Sequence, residues 1–477
     1  MAGSLQATPG FDLQPSGEQV ALPTNYITNF DFLSQYLPDT YEKEFERYGN
    51  RTISGFLRMV GAEMPTNSDM IKWAEQGRLH TKYVSCTAAE AAGSGTATWT
   101  VADPDAPANI AIRPGQTVFI TDNTAASGLT NKAVVTAVTA TTFTVAYYEA
   151  TGQAMAGVAD GAAAVCTVMI YGSEFKKGTN GMQGSIEADD VIFDNKPIIL
   201  KDKYAVNGSD MAQIGWIEVT TENGATGYLW YLKSEHETRL RFDDYLETAM
   251  IEAVPAGTGS GAEAALSSAT GAGTINAGSE GIFYAIENRG NVWSGGIPST
   301  LADFDSIIGR LDKQGAIEEN VLFVNREMGF DIDDMLAAQN SYGAGGTSYG
   351  LFDNDEQMAL NLGFTGFRRG YDFYKSDWKY LNDPTMRGDL TNGVVNGLLV
   401  PAGSTTVYDQ VLGKNAKRPF LHIRYRASET EDRRYKTWIT GSAGGAMNSD
   451  LDAMEVHFLS ERAVCTMGAN NFFLFEG

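Results

Sequence analysis

The stretch Thr226-Gly-Tyr-Leu-Trp-Tyr-Leu-Lys-Ser-Glu-His-Glu-Thr-Arg-Leu-Arg-Phe-Asp-Asp-Tyr-Leu-Glu-Thr-Ala-Met-Ile-Glu-Ala-Val254 decides the fold. Leu229, Leu232, His236, Leu246 and Met250 trace one apolar stripe at helical spacing, and Tyr231, Phe242, Tyr245 and Ala249 trace a second. Glu235 with Arg239, and Glu237 with Arg241, stand four residues apart and support the solvated side. Pro255 marks the stop. At about 1.5 Å of rise per residue the helix reaches about 43 Å. A helix apolar on two sides has to be covered on two sides.

Upstream, residues 172–210 begin with a polar, glycine-rich run, Gly172-Ser-Glu-Phe-Lys-Lys-Gly-Thr-Asn-Gly-Met-Gln-Gly, followed by strand-like runs at Asp190–Phe193 and Ile198–Ala205. A long glycine-tipped hairpin is predicted there, and such an arm is unstable unless something packs on it. Between Val84 and Phe175 the only basic residues are Arg113 and Lys132, and Ala, Thr, Gly and Val dominate. Alternation is plain in Thr96–Val101 and Thr142–Val145, and further short runs at Thr117–Thr121, Val134–Val138 and Val165–Tyr171 complete a small all-β unit over 81–171. Its charge texture differs from both flanks, as an insertion would. Residues 1–37 lack a sustained period; Phe30 and Phe32 would anchor them if they form an arm ordered against a neighbour. Residues 38–60 and 68–79 are predicted helical.

Downstream, residues 256–280 are rich in Gly, Ala, Ser and Thr. Thr300 and Asp303 make a capping box for a helix that carries Leu301, Phe304, Ile308 and Leu311 and ends near Gly315. A strand at Val321–Asn325 and a helix from Asp331 to Gln339 follow. Strands recur at Gly366–Tyr374, Gly397–Val400, Phe420–Ala427, Arg433–Thr440, Met454–Leu459 and Arg462–Met467.

The 477 residues carry 35 basic and 59 acidic side chains, a net charge of −24. That excludes a protein wrapping nucleic acid through clustered Lys and Arg, and a polybasic membrane binder. No run is long and apolar enough for a membrane helix, and the first residues have no signal-peptide pattern. Three cysteines, Cys86, Cys166 and Cys465, without a CxxC pair, form neither a disulfide framework nor a zinc site, and fit a reducing compartment. Of the four histidines, His236, His422 and His457 read as packing residues, and HExxH, GxSxG and Walker loops are missing. No catalytic residue, cofactor or metal is expected. Arg424, Arg426, Arg433 and Arg434, with acids between them, stand out in so acidic a chain; they form either a solvated charged hairpin or an ion-pair network between subunits.

The order of arm, glycine-tipped hairpin, very long helix, mixed lobe and returning strands resembles the tailed-phage major capsid proteins of the Hong Kong 97 type. Asn195-Lys-Pro-Ile-Ile-Leu-Lys-Asp-Lys-Tyr-Ala-Val-Asn-Gly-Ser209 is similar to that family's strand and V-x-G-[ST] turn, and Asp244-Tyr-Leu-Glu-Thr-Ala-Met-Ile-Glu252 to the end of its spine helix. The overall texture is similar to the crAss-like phages. The resemblance implies an α+β Hong Kong 97-like fold: N-terminal arm and helices at 1–80, the inserted small β domain at 81–171, the extended E-loop hairpin at 172–222, a peripheral domain with the spine helix at 223–290 and 418–477, and a mixed α/β axial domain at 291–417. It implies a non-enzymatic shell protein, located in the virion after assembly in the host bacterial cytoplasm. Copies would form hexamers and pentamers. A separate scaffolding protein, a portal at one vertex and auxiliary or head-fibre proteins would be partners, with DNA held only non-specifically and no membrane. Phe30, Phe32, Phe175, Lys176, Lys177, Met182, Arg424, Arg426, Arg433 and Arg434 are the expected interface residues. The competing expectation is a modular binding protein whose β domain recognises carbohydrate or a surface receptor through Trp99, Tyr147 and Tyr148.

Overall fold

The computed structural model describes residues 62–78, 80–88, 95–102, 110–123, 130–149, 166–184, 190–212, 219–220, 226–227, 230–266, 277–315, 317–340, 365–409, 414–445 and 447–477. The chain divides into two compact units, one built from Met1–Ile71 with Asp194–Gly477 and the other from Lys72–Phe193. Phe30, Phe32 and the helices expected at 38–60 lie outside the described residues.

In chain order the strands begin with β1 (Ala62–Thr66) and β2 (Ile71–Gln76). A closed six-stranded barrel follows: β3 (Lys82–Ala88), β4 (Thr96–Val101), β5 (Gln116–Asp122), β6 (Thr130–Val138), β7 (Thr142–Tyr147) and β8 (Cys166–Ser173), joined in the order β3-β4-β7-β6-β5-β8. Alternation builds it. In β4, Ala97, Trp99 and Val101 are buried while Thr96, Thr98 and Thr100 are exposed. Trp99 and Phe143 are cross-strand partners in the core, which Val118, Ile120, Val145 and Val168 also fill.

β9 (Asp190–Asn195) pairs with β2, and this corrects two expectations. The segment at 68–79 is not a helix. Its Ala, Glu, Gln and Lys favour one, yet Trp73 donates its indole N–H to Glu75 at 2.9 Å, and its ring lies 6.3 Å from Phe193. Residues two apart share a face only in a strand. The strand-like run at 190–193 likewise does not pair with the run at 198–205: its partner is β2, and β2 and β9 flank the barrel in sequence.

In the other unit, β10 (Ile198–Asn207), β20 (Leu421–Arg426), β21 (Lys436–Gly441) and β22 (Ala453–Thr466) form a five-stranded sheet with β1. β1 joins parallel to β20; β22 is antiparallel to β10, β20 and β21. The two runs expected at 454–459 and 462–467 are this single strand. Asn195 sets the start of β10: its amide donates to the carbonyls of Glu280 and Val464 and accepts from Glu280 N–H. At the far end, Gly208 of the V-x-G-[ST] turn donates its N–H to the Asp452 carbonyl.

The long helix α1 runs Trp230–Glu252 and lays Phe242 and Leu246 on Val456 and Phe458 of β22. It starts later than Thr226, because Thr226–Gly227 (β12) pairs with Val219–Thr220 (β11). Helix α2 (Ile282–Arg289) packs beneath it. A six-stranded sheet forms the remaining lobe, ordered β13 (Asn291–Trp293), β23 (Phe473–Glu476), β17 (Val395–Pro401), β14 (Glu319–Val324), β16 (Tyr371–Asp377) and β15 (Gly366–Arg369). Helix α3 (Leu301–Gln314) covers it with Phe304, Ile307 and Leu311. The Thr300–Asp303 capping box forms, and Gly315 closes α3 in the left-handed region at φ 85°. Helix α4 (Arg326–Asn340) begins five residues earlier than expected, because Asn325 accepts the Met328 N–H and caps it. The hairpin of β18 (Ser404–Asp409) and β19 (Lys414–Pro419) completes the set.

Gly441 ends β21 at φ 122°, where a Cβ would overlap the Ala453 carbonyl oxygen. Gly445, at φ 86°, has open space around it. Gly441→Ala is expected to cost more than about 3 kcal/mol, and Gly445→Ala about 1 kcal/mol. Urea titration of both variants checks the difference; equal midpoints would contradict it.

Candidate functional site

Several surfaces carry more chemistry than their own unit uses. The first lies along α1. Phe242, Leu246, Met250 and Ile251 are buried, while one residue of each stripe stays in solvent: Leu232 of the first is 45% exposed and Tyr245 of the second 47%. Val254 just past the helix and Ile199 on β10 are exposed as well. A cleft of about 420 Å³ runs between α1 and β10, lined by Leu200, Lys201, Phe242, Tyr245, Thr248, Ala249, Glu252 and Ala253. Apolar side chains bordering an open cleft have no reason to stay in water if another surface can cover them.

The C-terminal end of α1 is held firmly. Glu252 accepts two hydrogen bonds from Arg387, both at 2.6 Å, and a third from the Tyr380 hydroxyl. The Arg387 guanidinium also lies over the Phe283 ring. Burial pushes the Tyr380 hydroxyl pKa up, and the bond to Glu252 adds to the rise. The helix end therefore cannot shift without breaking a charge-assisted pair.

The arginines form a network within the chain. Arg426 pairs with Asp69 and, at 3.5 Å, with Glu461; Arg433 reaches Glu461 at 2.6 Å. Arg434 pairs with Glu63, and Arg462, a residue sequence reasoning did not single out, lies 3.6 Å from the same carboxylate. Burial lowers the Arg462 pKa most, while the Glu63 charge opposes that effect. Arg424 is different: its guanidinium lies 4.0 Å from the Met64 sulfur, and its Nε is buried with no hydrogen-bond partner among the described residues. The network pins β1, where the chain enters the sheet, to β20 and β22. Lys436 bonds Glu431 at 2.8 Å and holds the intervening turn, lowering the Glu431 pKa chiefly through that hydrogen bond.

Phe175, Lys176, Lys177 and Met182 were expected on the hairpin. They belong to the loop after β8, which folds against the barrel. Glu174 donates its N–H to Gly115, the Phe175 ring covers Gly115 where a Cβ would clash, and Gln116 Nε2 lies 3.9 Å from the Met182 sulfur. Lys176 and Lys177 are exposed. Of the aromatic residues considered for sugar stacking, Trp99 is fully buried and donates to the half-buried Tyr147 hydroxyl at 3.3 Å. Tyr148 is exposed and bonds Glu174.

His422 and His457 take structural places: His422 Nδ1 lies 3.2 Å from the Pro419 carbonyl, and His457 stacks on Trp438 and bonds Thr440. Among the described residues no three His, Cys, Asp or Glu side chains converge on a metal position, and no helix is long and apolar enough to cross a membrane.

Glu63→Gln leaves Arg462 buried beside an uncharged partner, and is expected to cost about 2–3 kcal/mol. The exposed Glu431→Gln is expected to leave the denaturation midpoint unchanged. Equal losses in the two variants, read by urea melts, would contradict the network's role.

No family model and no curated protein matches the chain. Among solved structures it is similar to a chain of Microbacterium phage Oxtober96, at 11% identity over 94% of this chain and 99% of that one, with a TM-score of 0.38. It is similar at 9% identity to a chain of an empty GTA particle capsid, over 95% and 99% of the two chains, TM-score 0.37. A chain of the holo-SrpI encapsulin complex from Synechococcus elongatus PCC 7942 matches at 11% identity over 61% and 77%, TM-score 0.32. At such TM-scores the likeness carries no argument, and the functional reading rests on the chain's own residues.

Proposed function

We propose that this chain is a structural shell protein: the major capsid protein of a tailed bacteriophage, with the Hong Kong 97-like fold and a texture similar to the crAss-like phages. The observation that carries the reading is the α1 surface. A 23-residue helix packs Phe242 and Leu246 on its sheet and leaves Leu232, Tyr245 and the neighbouring cleft uncovered. The stretches quoted at 195–209 and 244–252 supply the family likeness; the first holds a strand that ends at the glycine turn, and the second is the end of the long helix on β22.

In this reading copies cover one another by heterologous contacts, which close into rings when the rotation allows. Hexamers and pentamers then tile an icosahedral head around double-stranded DNA. The β2–β9 ladder serves as the extended hairpin, the six-stranded lobe as the axial domain, and the barrel as an insertion between the hairpin strands. Obligate interfaces of this kind bury more than about 2,000 Å² each. A charge of −24 suits an inner wall that repels packaged DNA. A scaffolding protein, a portal and auxiliary proteins are the implied partners, in the host cytoplasm first and the virion afterwards.

Sedimentation velocity tests the surface. The wild-type chain is expected to associate into large species as its concentration rises. Tyr245→Asp, at an exposed position, is expected to shift association at least tenfold higher in concentration while circular dichroism stays unchanged. Association unaffected by that variant, or by Leu232→Asp, would remove the α1 surface from the interface.

A further inference from the structure

The two barrel cysteines are partners in register. Cys86 of β3 stands directly opposite Cys166 of β8 across an antiparallel pair. Both side chains face the barrel core and both are fully buried. Both are unbridged thiols, and Cys86 Sγ lies 3.7 Å and 3.6 Å from the carbonyls of Tyr83 and Val84. Opposed residues on antiparallel strands have Cα atoms about 4.5–5.5 Å apart. A disulfide spans about 4.4–6.8 Å, a range that includes opposed positions of this kind. The third cysteine, Cys465, lies on β22 in the other unit.

The position matters as much as the distance. β3 and β8 are the first and last strands of the barrel in sequence, and their pairing is the seam that closes it. Beside the pair the ladder is interrupted: Val84 and Ser85 stand against Thr167 alone, and Ser85 adopts a positive φ of 56°. A bulge weakens local pairing, and gives a buried thiol a route to reagent without unfolding the whole barrel.

We infer that Cys86 and Cys166 form a redox-responsive seam, reduced during synthesis and closed as a disulfide once the protein meets a low-molecular-weight disulfide oxidant. In the first step the thiolate of one cysteine attacks a sulfur of the oxidant, releases one small thiolate and forms a mixed disulfide. The second cysteine, deprotonated, then attacks that mixed disulfide and releases the second small thiolate. The protein loses two protons and two electrons; the oxidant gains them as two thiols. The bond ties together the ends of roughly 80 intervening residues, which removes much of the unfolded barrel's freedom. This inference is independent of the shell reading.

The test uses the full chain with oxidised glutathione, held a few degrees below its melting temperature, then alkylated without reduction and digested. Mass spectrometry is expected to show one Cys86–Cys166 linked peptide pair, two hydrogens lighter than the dithiol, with Cys465 alkylated. The barrel's melting temperature is expected to rise by about 5 °C or more over the same sample kept in dithiothreitol. Cys166→Ala is expected to abolish both link and rise. Two alkylated thiols, separate glutathione adducts, a link through Cys465, or an unchanged melting temperature in linked protein would each overturn the inference.

Discussion

Strand β22 is hydrogen-bonded on both edges, to β10 on one side and to β20 and β21 on the other. Everything in its unit is referred to that ladder. Because a strand alternates faces, pairing on both edges leaves only its two faces for side chains. Val456 and Phe458 meet Phe242 of α1, and Val464 joins the core below α2. The arginine network ties β1 to the same strand through Arg462 and Glu461. Thus segments more than two hundred residues apart in sequence share one scaffold, and α1 has its orientation set along its length.

That constraint also fixes the exposed apolar residues of α1 in place. A helix anchored by Phe242 and Leu246 below, and by Arg387 on Glu252 at its end, presents Leu232 and Tyr245 at fixed positions. Pre-organised apolar surface loses little entropy on being covered, which favours association between copies. The acidic charge opposes indiscriminate clumping, leaving shape and local pairing to select the contact.

Much of this was legible in the chain itself. The α1 stripes, the threonine-rich alternation of the barrel and the Thr300–Asp303 box each express a local rule strongly. The misses share a different cause. Ile71–Gln76 is made of helix formers, and pairing with β9 overrides them. Ser460, Glu461 and Arg462 break the apolar pattern of β22, yet they are buried because Arg434 and Arg433 satisfy them: Ser460 bonds the Arg434 carbonyl at 2.6 Å, and Glu461 meets Arg433. Likewise the arginines' carboxylate partners at 63 and 69 lie some 350 residues upstream, beyond any local pattern. Phe175 and Met182 illustrate the same limit, since a glycine-rich run gives no sign of which surface it will lie on.

The central claim is that the uncovered apolar surface of one copy is completed by others in a closed lattice. Electron micrographs of the purified chain over a range of concentrations test this most directly. The account predicts closed shells, or free rings of five and six copies. A field of uniform, single-copy particles at every concentration would contradict it.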